Sequence, residues 1–230
     1  MKIHPALALL LCATAFAQTQ TQTTPQPLPA NYKTILENPD LLVMRVHYGP
    51  HEFVPLHDHS AYPTVYVYLN DSGVIQIDHA PPDTLSVKRP PTHTGAFRIG
   101  PSMPERHSIT NLSDIPSDFL RVELKTIPLS DLTQAVRGAT PASPQPGTHT
   151  EFEDTALRID RILCPPTTPC EATPTAARSL LVAITPLEIQ TPEGNRRLQP
   201  GDVLWLPAAS TPPRLTPSAQ ALRITLLYPH

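Results

Sequence analysis

Thirty-one of the 230 residues are proline, more than twice the usual share of about 5%, and no other feature narrows the fold as much. A proline inside a helix removes a hydrogen bond and collides with the preceding turn; inside a central strand it interrupts the ladder. Long helices are therefore disfavoured, and short strands joined by proline-punctuated loops remain. Val, Ile, Leu and Thr are plentiful enough for a β core, although aromatic residues make up only 5% of the chain.

The first seventeen residues have a different character. Lys2, an apolar run from Ala6 to Leu11, and Ala15-Phe16-Ala17 form the n-region, h-region and A-x-A site of a secretory signal peptide, with cleavage expected after Ala17. The apolar run is too short to span a bilayer, and Leu11 before Cys12 is large where a lipidation signal wants a small residue. Residues 18–30, rich in Gln, Thr and Pro, are expected to be a disordered leader. The protein is thus expected to be secreted or periplasmic, with no transmembrane segment. A net charge of −3 gives no basis for nucleic-acid binding. Two cysteines remain after cleavage, Cys164 and Cys170. In an exported protein they are expected to close a short disulfide loop, with two free thiols as the alternative.

From Leu41 the pattern is a β meander: Leu41 to Tyr48, Phe53 to His59, Thr64 to Leu69, Gly73 to Asp78, Gly95 to Ile99, His107 to Thr110 and Asp118 to Thr126. Turn signals separate these strands, most clearly Asn70-Asp71-Ser72-Gly73, and suggest a sandwich or small barrel. Ser130 can cap a short helix, with Leu132, Ala135 and Val136 at helical spacing and Gly138 closing it. A linker is expected from there to Thr150.

The second half repeats the first. Gly201 to Pro207 lies over Gly95 to Pro101; Arg161-Ile162-Leu163 lies over Arg45-Val46-His47, and the same offset puts Leu181 on Val65. The chain then divides into a leader (18–30), a first domain (31–127), a helix and linker (128–150) and a second domain (151–230). Under this alignment His57, His59 and His107 fall on Thr173, Thr175 and Pro213. The second half keeps the frame and loses three residues that carry chemistry in the first.

Those three are the chemical core of the sequence. His57 and His59 alternate on an extended segment, so both imidazoles face one side of a sheet. A third imidazole from another strand, His107, would complete a facial grip on a transition metal with positions left open. Gly49, His57-Asp58-His59, Thr64 and Gly73, followed by Gly95, Pro101, His107 and Asn111, resemble the two motifs of the cupin superfamily, and the paired halves resemble a bicupin. The resemblance implies an all-β fold of two small jelly-roll barrels in tandem, the second degenerate, and a monomer or homodimer. The family's glutamate position is Thr64 here, so the ligand set implied is three neutral histidines, as in the thiol dioxygenase branch.

Such a site implies a small-molecule substrate. It favours a dioxygenase-like oxidoreductase using Fe(II) over an isomerase or lyase using Zn, Mn or Ni; a non-catalytic small-ligand or sugar-binding module is the alternative. Tyr66 and Tyr68 share the parity of Thr64 and should face the same cavity, as candidate catalytic or substrate-orienting groups or as packing. Glu105, two before His107 and on its face if the segment is extended, is a candidate for the missing glutamate's role, as are Glu52 and His51 before the H-x-H strand. Solvated loop side chains are the favoured reading for all three, and His79, His93 and His149 are expected to be surface residues.

Overall fold

The computed structural model describes residues 25–81, 84–127, 136–138, 145–191 and 194–228; the expected signal peptide lies outside them. Within them the chain forms strands and no helix. The first unit holds β1 (Tyr32–Glu37), β2 (Leu41–Tyr48), β3 (Phe53–His59), β4 (Thr64–Tyr68), β5 (Ile75–His79), β6 (Ser86–Arg89), β7 (Phe97–Gly100), β8 (Glu105–Asn111), β9 (Ser117–Leu124) and β10 (Val136–Gly138). The second holds β11 (Gly147–Glu153), β12 (Leu157–Leu163), β13 (Cys170–Glu171), β14 (Arg178–Ala183), β15 (Leu187–Thr191), β16 (Gly194–Leu198), β17 (Val203–Leu206), β18 (Arg214–Leu215) and β19 (Gln220–Leu226).

Each unit is a pair of antiparallel sheets. In the first, β1-β2-β9-β4-β7-β10 covers β3-β8-β5-β6; in the second, β11-β12-β19-β14-β17 covers β13-β18-β15-β16. The large sheets are apolar on both faces. Val65 and Val67 of β4 and Leu120, Val122 and Leu124 of β9 share one core with Leu180, Val182, Leu222 and Ile224 of the second unit. Tyr66, Tyr68 and Phe119, of opposite parity, face the interior of the first barrel. All five residues of β4 are buried for this reason. Truncating one of these fully buried aliphatic side chains to alanine costs about 2–5 kcal/mol, so the inter-barrel core holds much of the stability.

The two halves meet with approximate twofold symmetry. Arg161 donates to the Gly95 carbonyl (2.8 Å), and Arg45, its counterpart in the repeat, donates to the Pro200 carbonyl (2.8 Å). Gly95 (φ 77°) and Gly201 (φ 83°) both occupy the left-handed region that favours glycine. Bulges fall between Thr34 and Leu36 in β1 and between Thr150 and Phe152 in β11, at matching positions. One expected match is off by a residue. Val65 pairs with Val122 and Ile99, whereas their counterparts Ile224 and Trp205 both pair with Leu180 rather than Leu181. An ungapped alignment misses a one-residue difference in a loop, and in a sheet that difference exchanges the two faces.

Three local expectations change. Residues 128–135 of the expected helix lie outside the described set, but Val136 and Gly138, its C-terminal end, are in strand β10, paired with β7. Val136 packs there against the inter-barrel core, which a free helix could not offer it. The linker ends at Gly147, where β11 begins, rather than at Thr150. The leader, expected to be disordered to Ala30, is held from Gln26 onward: the Asp58 backbone amide donates to the Gln26 carbonyl (3.3 Å), and the Gln26 amide donates to the Asp58 carboxylate. Cys164 and Cys170 are bridged, with Cα atoms 5.3 Å apart.

Candidate metal centre

A bulge aims the first two histidines. Val54 pairs with Ile109 and His57 with His107, and the register shifts between them. Strict alternation from buried Val54 would turn Leu56 and Asp58 inward. The extra residue reverses the parity beyond it, so His57 and His59 point into the barrel while Leu56 stays exposed. His107, on β8 directly across the ladder from His57, faces the same way. The three rings lie 4.8–5.1 Å apart, centre to centre, and one nitrogen from each falls within 4.8 Å of the others.

The protonation states suit a cation. The Nδ1 of His57 lies 2.8 Å from the Pro55 carbonyl, which must receive the ring proton and leaves Nε2 with its lone pair. Among the described residues neither ring nitrogen of His59, and not Nδ1 of His107, has a hydrogen-bond partner, although all are buried. Burial pushes all three imidazoles down, His107 to about 3 against the opposing pull of Glu105. Buried neutral imidazoles with unengaged nitrogens, as in His59 and His107, are costly for a folded chain, and a transition metal is the chemical partner that uses them.

Around this triad is a charged wall that sequence reasoning only partly anticipated. Arg121 of β9 is almost fully buried between two carboxylates: Nη1 donates to Glu105 (2.9 Å) and Nε to Glu123 (2.9 Å). Burial is the largest influence on Glu105 and works against the anion, but Arg121, His107 and Arg98 together hold the carboxyl below its usual range. Glu105 is thus no solvated loop residue, because its position two before His107 carries it inward on β8. It still does not take the place of the absent glutamate: it is neutralised by Arg121 and is not part of the three-histidine group. Thr64 turns its hydroxyl away, donating to the Tyr62 carbonyl (3.1 Å). Glu52 is likewise no free loop side chain, since it accepts from Asn31 and the Gly49 amide. His79, expected at the surface, pairs with His107 across the β5–β8 ladder, its ring 5.5 Å away.

Tyr66 and Tyr68 both line the interior cavity with His107 and Arg121, as their parity implies. The Tyr66 hydroxyl accepts from Arg121 Nη1 (2.7 Å) and donates to Glu105 (3.4 Å); Tyr68 sits deeper, under the Arg89 guanidinium. Two tyrosines were missed. The Tyr32 hydroxyl lies 2.9 Å from His57 Nε2 and 2.5 Å from the Tyr48 hydroxyl, and burial raises both phenols. Tyr32 opens a short edge strand of mostly exposed residues, so no periodicity marked it. The motif asparagine is structural: buried Asn111 donates to the Gly49 carbonyl (2.8 Å) and the Ile115 carbonyl (2.9 Å), fixing the turn before β3.

In the second barrel no comparable histidine group occurs among the described residues. Cys170 pairs with Leu215 and Glu171 with Arg214, and Ala172 and Pro213 just beyond them are both buried. Continuing that register by one residue would put Ala172, rather than Thr173, at the position of His57. Arg223 matches Arg121 and is paired with Asp160 (2.7 Å).

No protein-family model matches the chain, and no curated protein matches it in sequence. Solved structures do match in shape. AerE from Microcystis aeruginosa aligns at TM-score 0.59 and 13% identity, over 89% of this chain and 99% of that one. The protein Ylba from E. coli aligns at 0.60 and 9%, over 87% and 86%. Salicylate 1,2-dioxygenase from Pseudoaminobacter salicylatoxidans, solved with gentisate, aligns at 0.51 and 14%, over 81% and 68%. At these identities the likeness is one of fold, and together with the paired barrels above it gives the chain the cupin fold, in the doubled form of a bicupin.

Proposed function

We propose that the protein is an exported, metal-dependent enzyme that acts on a small molecule in its first barrel, with dioxygenase-like chemistry. The observation that carries this reading is the buried triad of His57, His59 and His107, three neutral imidazoles of which both His59 nitrogens and the His107 Nδ1 have no hydrogen-bond partner among the described residues. The triad would hold a divalent transition metal, Fe(II) favoured over Zn, Mn or Ni, and a bound Fe(II) would supply redox chemistry with dioxygen at positions the protein leaves open. Neutral ligands leave the ion's full charge in the site. A neighbour in fold that is a dioxygenase supports the same direction. Export is supported by the leader composition and by the Cys164–Cys170 bridge.

The chain's own groups divide the remaining work. Tyr66 stays protonated, because burial raises it, and its hydroxyl is held in place by Arg121; it can give a hydrogen bond or a proton at Oη to a bound molecule. Tyr68 and Phe119 form an apolar floor that orients it. The inter-barrel core seals the far side against water.

One observation favours a second reading, a non-catalytic binding module. Thr64 replaces the carboxylate, and the buried acids of the interior wall, Glu105 and Glu123, are tied to Arg121. Metal analysis of the mature protein separates the two. Stoichiometric metal that is lost in His57→Ala and His107→Ala supports the enzyme. A folded protein that stays metal-free after incubation with Fe(II), Mn(II), Ni(II) and Zn(II) overturns it.

A further inference from the structure

We infer that a cleft on the side of the first barrel, lined by Arg89, Arg98 and Arg137, is a clamp for an organic carboxylate. Arg98 of β7 and Arg137 of β10 are direct cross-strand partners. Like charges placed opposite one another destabilise a sheet; among the described residues neither guanidinium is in a close ion pair, and the acid that acts on Arg98, Glu105, is itself bonded to Arg121. Arg89 lies in the same cleft, more than nine-tenths buried. Its Nη2 donates to the Ser72 and Ser117 hydroxyls (3.2 and 3.1 Å), while the Nε atoms of Arg89 and Arg98 are buried without a partner.

Among the described residues no aspartate or glutamate lines the cleft, although acids outnumber Lys and Arg in the whole chain. Elsewhere in the barrels the chain neutralises its buried arginines: Arg121 has Glu105 and Glu123, Arg161 has Glu151, and Arg223 has Asp160. Among the described residues Arg89 is the buried arginine that departs from that practice, with half-buried Arg98 beside it in the cleft. Planar guanidinium groups with free N–H donors match the two oxygens of a carboxylate.

The cleft also leads inward. Tyr68, Arg89 and Arg98 line both it and the interior cavity that reaches His107. Arg98 stacks on the Tyr66 ring, 4.6 Å from its centre. A carboxylate held by Arg98 and Arg137 would therefore direct the rest of its molecule past Tyr66 toward the histidines. That direction rests on the metal-site reading, whereas the clamp does not.

The test uses the full mature protein with benzoate as probe, benzyl alcohol as its uncharged analogue and inorganic phosphate as the competing oxyanion. Binding is followed by calorimetry, and metal content is measured on the same samples. Benzoate should bind, benzyl alcohol should not, and Arg137→Gln and Arg98→Gln should each weaken benzoate by about tenfold or more with metal content unchanged. Arg137 is exposed, so its variant should fold even if Arg98→Gln does not. Binding of phosphate but not benzoate overturns the carboxylate assignment, as does benzoate binding unchanged in Arg137→Gln. A metal-free protein that still binds benzoate through Arg137 would refute the metal reading and leave the clamp standing.

Discussion

Acid should unfold the metal-free protein earlier than its carboxylates alone require, and the histidine triad sets the amount. In the unfolded chain His107 takes up a proton near pH 6.5; in the folded chain burial delays this to about 3. Between those values the unfolded state binds more protons, so stability falls as pH falls. The neutral ring costs nothing extra well above pH 6.5. At pH 5 the unfolded state has gained roughly 2 kcal/mol relative to the folded one from His107 alone. His57 and His59 are shifted the same way and add to the loss, and Glu105, held low by Arg121, titrates mostly below this window. The assay is urea unfolding followed by circular dichroism, with a chelator present, from pH 7 to pH 5. Wild type should lose at least about 2 kcal/mol, and His107→Leu should show a pH dependence smaller by about that amount. Saturating Zn(II) should raise stability at pH 7 and steepen the loss, because protons and metal compete for the same nitrogens. Equal stability at pH 7 and pH 5 in the metal-free protein would refute neutral burial of the triad.

Other substitutions probe the surroundings. Arg121→Met leaves Glu105 and Glu123 buried without their cation and should cost about 3–5 kcal/mol; a loss under 1 kcal/mol in urea unfolding would mean that the pair is not buried as described. Tyr32→Phe removes the hydroxyl bonded to His57 Nε2, so a metal no longer competes with that bond, and Zn(II) should bind up to about tenfold more tightly. Weaker binding in a competition titration would show instead that Tyr32 assists the metal. Gly201→Ala places a Cβ 2.6 Å from the Leu69 side chain at φ 83° and should lower the melting temperature by several degrees, at a cost of about 1–3 kcal/mol. Cys164→Ser with Cys170→Ser opens a short loop and should cost roughly 2–3 kcal/mol. Intact mass should first show the native chain about two units lighter than the reduced one.

The parts legible in the sequence were those fixed by local pattern. β2 and β3 were bounded correctly because alternation and turn residues delimit them, and His57, His59 and His107 converge because motif spacing places them on paired strands. What stayed hidden depended on pairing between distant strands. Parity in β3 holds only from the bulge onward, and nothing in Val54-Pro55-Leu56-His57 states where the bulge falls except that both histidines must end inside. The one-residue slip of β14 arises in the same way, because sheet register is set by partners and not by the strand itself. Tyr32 stayed hidden because a single inward residue at a strand's start carries no periodicity, and Glu105 because the strand was expected to begin only at His107 whereas β8 begins at Glu105. Arg98 and Arg137 are the extreme case: their opposition exists only through the β7–β10 ladder, across 38 intervening residues of proline-rich chain. A like-charge pair created by topology, with no acid in the cleft among the described residues, is the feature that the proposed carboxylate clamp accounts for. Charge placement of this kind becomes readable only once the strands are paired.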